Sequence, residues 1–108
     1  MIVYGISTCD STKKALKALE RAGIAASFRD IRAEPLSEAE IARIVAEFGD
    51  RAINRQSTTY RGFSEFLRAS DPEAQIAAQP TVMKRPVIAA AGRWYLGWDE
   101  ATEAALLA

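Results

Sequence analysis

The chain contains no histidine, a single cysteine and no net charge, its 14 lysines and arginines balancing 14 aspartates and glutamates. Each shortage excludes a class of chemistry. Without histidine, a Ser-His-Asp triad, a Cys-His dyad and a histidine-bearing zinc centre are impossible within the chain, and no metal site is expected. A lone cysteine forms no internal disulfide, so the core rather than staples must hold the fold, as in a reducing compartment. Charge balance removes any global field that would draw the molecule to nucleic acid or an anionic membrane. No apolar run reaches the ~18 residues of a membrane span. The N-terminus lacks the pattern of a secretion signal, and there is neither a Walker loop nor a G-x-G-x-x-G turn after a strand. The expected location is the cytoplasm, with no membrane partner and no direct nucleic-acid partner.

What remains is an ordinary globular composition, 49% apolar and 26% charged over 108 residues, the size of one domain. Residues 1–6 form a continuous apolar run, predicting a short buried strand. Ala15, Leu16, Leu19 and Ala22 share one face of a helix expected over 11–22, with Gly23 at its end. A second strand is predicted over 26–31, and strand-helix-strand order implies a right-handed parallel crossover. Ser37 with Glu40 is a capping-box signature opening a helix that Gly49 stops. The polar stretch 50–79 suggests one short helix around Phe63, Phe66 and Leu67 and another begun by Asp71-Pro72. After Pro80 the chain turns strand-like. Residues 87–90 and 94–96 read as a hairpin about Ala91-Gly92, and Asp99 caps a last helix. The resulting class is α/β, with a βαβ start, a helical insert and a ββα finish. The core is expected over about 1–36 and 80–108, and the insert over about 37–79.

Cys9 stands where the first strand gives way to the first helix, at the carboxyl end of a parallel pair, where open α/β proteins place their sites. The helix N-terminus offers unpaired N–H groups and about half a positive charge, both favouring a thiolate. Ser11 and Thr12 add hydroxyl donors. Lys13 and Lys14 sit at the unfavourable end of the helix dipole and so point to an anionic partner. A buried structural cysteine is the competing reading, and the polar flanks Ser7-Thr8 and Asp10 to Lys14 argue against it. The second informative stretch is Pro80 to Val87, where Lys84-Arg85-Pro86 leads into a strand. Beside a βαβ unit carrying a cysteine after its first strand, it suggests the thioredoxin arrangement, in which a cis-proline loop faces the cysteine. A cis Arg85–Pro86 bond is expected, with Arg85 brought toward Cys9 as an anion clamp.

Four segments carry a family resemblance: Tyr4 to Ala15, Ile53 to Phe63, Pro80 to Ile88, and Leu96 to Trp98. Together they resemble the ArsC family, the thioredoxin-like arsenate reductases and their relatives, and within it the small YffB-like branch. The resemblance implies a thioredoxin-like core with a helical insert between the second and third strands. For arsenate reductases it also implies a nucleophilic cysteine supported by three arginines, with glutathione and glutaredoxin resolving the intermediate. Cys9 and Arg85 match the nucleophile and one arginine. The insert arginine falls on Asn54, with Arg55 one residue later, and the last falls near Gly97. The family also holds Spx-like regulators that bind RNA polymerase and carry a Cys-x-x-Cys switch, whose second cysteine is Thr12 here.

The expected activity is that of a monothiol, glutathione-dependent thiol reductase. Cys9 and Arg85 would be catalytic, and Ser11, Thr12, Lys13, Asn54, Arg55 and Pro86 would bind substrate. Glutathione would be a co-substrate rather than a bound cofactor, glutaredoxin a candidate partner, and the protein a monomer. Arsenate reduction and an Spx-like regulatory role are the alternatives.

Overall fold

The computed structural model describes residues 1–108. In chain order the elements are β1 (Ile2–Gly5), α1 (Asp10–Arg21), β2 (Ser27–Asp30), α2 (Glu38–Phe48), α3 (Thr58–Arg61), α4 (Glu65–Arg68), α5 (Pro72–Ala78), β3 (Val87–Ala90), β4 (Arg93–Leu96) and α6 (Glu100–Leu107). They divide into two compact units, Met1–Glu34 with Arg85–Ala108, and Pro35–Lys84.

The first unit is a four-stranded sheet ordered β2-β1-β3-β4. β1 runs parallel to β2 and antiparallel to β3, which pairs antiparallel with β4. This is the thioredoxin-like arrangement. Val3 lies opposite Phe28 on one side and Ile88 on the other. Val3 and Ile88 are fully buried against Ala15 and Leu19 of α1, which explains the three-to-four spacing of apolar residues in that helix. Gly23 ends α1 with φ 73°, while the Glu20 and Leu19 carbonyls accept from Gly23 N and Ile24 N at 3.0 Å each. The hairpin turns on Ala91 (φ 49°) and Gly92 (φ 81°), both in the left-handed region that a tight two-residue turn demands. Asp99 caps α6 by accepting from Thr102 N at 2.8 Å.

The second unit begins with the capping box read from the sequence. Ser37 Oγ accepts from Glu40 N at 3.1 Å, and Glu40 Oε1 accepts from Ser37 N at 2.9 Å. Ile41 and Ile44 of α2 are buried, as is Ile76 of α5, which packs on that helix. The stretch 50–79 holds more structure than its sequence pattern indicates. Besides α4 and α5 it contains α3, a four-residue helix too short for a periodic stripe, begun by Ser57 accepting from Tyr60 N. Residues Gly49–Ala52 and Pro80–Val82 are 3-10 turns. The expectation of strand from Pro80 onward is corrected there: Val82 and Met83 are buried, and Met83 pairs with Ile53 in an isolated antiparallel bridge. The strand itself starts at Val87. No helix is long and apolar enough to cross a membrane.

Candidate functional site

Helix α1 starts one residue earlier than its sequence suggests, and this makes Cys9 its N-cap. Cys9 has extended geometry (φ −83°, ψ 124°). Its N–H donates to Ile6 O at 2.9 Å, and its carbonyl accepts from Lys13 N at 3.0 Å. The thiol is therefore fixed over the open first turn, with Thr12 at the third helical position. Its side chain is partly buried, which excludes the fully buried structural reading.

Five contributions act on its ionisation. Partial burial is the largest and opposes the charged form. The Thr12 N–H, the Thr12 hydroxyl and the Arg85 guanidinium, through both a hydrogen bond and its charge, outweigh it, so the thiol titrates below its ordinary value. Thr12 is fully buried, and its Oγ1 has no hydrogen-bond partner meeting ordinary distance limits. A buried hydroxyl left open beside a sulfur is a donor held ready for a thiolate.

Gly5 explains how Thr12 comes to lie there. A Cβ on Gly5 would collide with the Thr12 Oγ1 and Cγ2 atoms, so only glycine lets the first turn of α1 settle this close to the end of β1. Asp30, at the end of β2, fixes the other side of the loop. Its carboxylate accepts from Arg32 N at 2.9 Å, Ser7 N at 3.3 Å and Ala33 N at 3.5 Å. The Arg32 N–H contributes most to holding this carboxyl below its ordinary value, against a smaller opposing effect of desolvation. The Gly5 and Asp30 roles escape sequence reasoning. The available signals were a glycine ending an apolar strand and an Asp followed by a turn.

Arg85 precedes Pro86 across a cis peptide bond. Pro86 is buried, and its carbonyl accepts from Gly97 N at 2.8 Å, tying the segment after β4 to this loop. Gly97 has φ 80°, a conformation unfavourable for the arginine that arsenate reductases would carry near there. The first unit thus brings Cys9, Thr12, Arg85 and Pro86 together and leaves Ser11 and Lys13 exposed on the first turn of α1. Asn54 and Arg55 belong to the second unit, where both line an open pocket.

Comparison with known proteins agrees with this geometry. A solved structure named YFFB superposes with a TM-score of 0.90 at 36% identity, over 99% of this chain and 98% of its own. An arsenate reductase (ArsC) related protein from Brucella melitensis gives 0.76 at 33% identity, covering 96% of this chain and 91% of its own. Global transcriptional regulator Spx 2 of Lactococcus lactis is 30% identical over 91% of this chain and 79% of its own. The sequence profile of the ArsC family matches residues 4–106. A thioredoxin-like sheet with a cysteine N-cap, a cis-proline loop and this match across nearly the whole length make the chain a member of the ArsC family.

Proposed function

We propose that the chain is a monothiol reductase that uses glutathione as its thiol co-substrate. The observation that supports this most is the ionisation of Cys9, favoured by Thr12 and Arg85 over the opposing effect of burial. In the proposed cycle the Cys9 thiolate attacks the glutathionyl sulfur of a mixed disulfide. A Cys9–glutathione disulfide forms and the substrate thiolate leaves, taking up a proton from water. The thiolate of a second glutathione then attacks the glutathionyl sulfur, releasing oxidised glutathione and restoring the Cys9 thiolate. Arg85 holds a glutathione carboxylate, Pro86 shapes the wall beside it, and Ser11, Thr12 and Lys13 supply further donors.

Incubation with oxidised glutathione followed by intact mass tests the first half-reaction. A gain of one glutathione is expected on the wild type and none on Cys9→Ser. Turnover of a small glutathione mixed disulfide, read through oxidised glutathione formation, tests the whole cycle. An unmodified wild-type chain would refute the proposal.

Arsenate reduction is the second reading, favoured by the family itself and by the Brucella relative. A multiply charged oxyanion approaching a thiolate needs several fixed cations, and each charged hydrogen bond that is missing forfeits about 1.5–3 kcal/mol. Arg85 alone matches the family's arginines in the first unit. Slow or absent arsenate turnover with glutathione and glutaredoxin is therefore expected. Brisk arsenate turnover without glutathione-disulfide activity would reverse the ranking. Stable glutathionylation with no turnover of either substrate would instead favour a regulatory role of the Spx kind.

A further inference from the structure

We propose that the insert carries an oxyanion pocket of its own, built on Arg51, Arg55 and Lys84, for a small ligand bearing two or more phosphoryl or carboxylate charges. The pocket lies wholly within the unit Pro35–Lys84, is open to solvent and has a volume of about 740 Å3. Small-molecule sites usually span ~300–1,000 Å3.

Backbone pairing brings the three cations together from separate stretches of the chain. Asn54 N donates to Val82 O at 2.9 Å, and Lys84 N donates to Ala52 O at 2.8 Å. These bonds flank the Ile53–Met83 bridge. Arg51 precedes and Arg55 follows the paired segment 52–54, Lys84 follows its partner, and all three line the one pocket. The chain as a whole has no net charge, whereas this pocket sets three cations against one carboxylate, Asp50. None of the four makes an ion pair within 4.0 Å, whereas Arg43 pairs with Glu47 at 2.9 Å and Arg29 with Glu34 at 3.6 Å. Like charges gathered without counter-charges repel one another, and a bound anion removes that cost.

The donors suit an oxyanion. Arg51 is steadied by the Phe48 ring, its guanidinium carbon 5.8 Å from the centroid, a contact that leaves the N–H edge of the fork for a ligand. Asn54 turns its Oδ1 onto Gln56 N at 3.1 Å, which leaves its carboxamide N–H2 as a donor. Two guanidinium forks and an ammonium fit a ligand with more than one anionic group, because a monoanion would leave part of the excess charge uncompensated.

The test is amide NMR of the intact chain, titrated separately with pyrophosphate and with citrate at low salt. Cys9→Ser is titrated alongside and is expected to bind like the wild type, so failure of the thiol chemistry and failure of this proposal remain distinguishable. Saturable shifts at residues 50–56 and 84 are expected. Pyrophosphate alone would assign phosphoryl ligands, citrate alone carboxylates, and both the shared chemistry. Binding should weaken about tenfold in Arg51→Gln with Lys84→Gln, as expected for two exposed charge contacts, and be largely kept in Arg51→Lys. If the double variant loses its dispersed spectrum, Arg55→Gln is read in its place. No saturable shift with either anion, shifts confined to residues 7–12 and 85, or unchanged affinity in the folded variant would overturn the proposal.

Discussion

Replacing Thr12 by valine removes one hydroxyl while keeping the side-chain shape, and two opposite consequences follow. Thr12 is 0% exposed, and its Oγ1 has no nitrogen or oxygen partner, the Cys9 sulfur being the group it acts on. Leaving such a group unsatisfied costs about 1–3 kcal/mol, so Thr12→Val should leave folding stability unchanged or raise it by up to about 1 kcal/mol. The Cys9 thiolate responds in the other direction. Burial works against that anion, and the hydroxyl is one of the donors that overcome it. A buried charged hydrogen bond contributes about 1.5–3 kcal/mol, but Cys9 is only partly buried, so solvent screens the loss to about 1 kcal/mol. At a pH below the thiol's pKa, the thiolate population then falls about fivefold. Alkylation slows less, about two- to threefold, because a more basic thiolate is also more nucleophilic. Since the folded thiol titrates below the unfolded one, Cys9 adds stability that is fully present above the unfolded pKa. That stability is lost as the pH falls through the folded pKa, and Thr12→Val narrows the window from its lower edge. Iodoacetamide alkylation against pH, with Cys9→Ser as blank, and urea unfolding of both chains measure the two effects. An alkylation profile that superposes on the wild type would refute the reasoning, as would a stability loss beyond about 1 kcal/mol, which would mean that the hydroxyl has a structural partner.

Gly5→Ala should cost about 1–3 kcal/mol through overpacking against Thr12 and move Cys9 ionisation upward. Urea unfolding checks the first effect, and Gly5→Ala combined with Thr12→Ala should recover part of the loss; no recovery would place the strain elsewhere. Arg85→Gln removes both a hydrogen bond and a charge from the Cys9 thiolate, so the alkylation profile should shift to higher pH and adduct formation with oxidised glutathione should slow. An unshifted profile would separate Arg85 from the thiol. Asp30 has a depressed pKa, so its stabilisation is present above the unfolded Asp value of ~3.9 and lost as the pH falls through the folded one. Thermal melts of wild type and Asp30→Asn should differ at neutral pH and converge in acid; a constant difference would show that the carboxylate's charge is not what holds the Ser7 loop.

The parts of this protein that can be read from its sequence are those where one local signal decides the structure. Ser37 and Glu40 cap α2 whatever surrounds them, and Ala91-Gly92 needs only positive φ to turn the hairpin. The apolar run of β1 and the stripe of α1 likewise state their own partners. Cys9 and Arg85 stood out by residue type. What could not be read depends on two segments meeting. Val82 and Met83 look like strand in isolation, yet Val82 ends a 3-10 turn and Met83 pairs only with Ile53, some thirty positions earlier in the chain, both side chains being buried. Gly5 looks like an ordinary strand-ending glycine; its requirement appears only when Thr12, seven positions later, lies where a Cβ would be. The same contact governs the ionisation of the thiol. A larger residue at position 5 would push Thr12 away from the sulfur, and the thiol would then keep the penalty of burial while losing two of the donors that offset it. The ionisation of Cys9 thus rests on a residue with no side chain, which no inventory of nucleophiles, acids and bases would include.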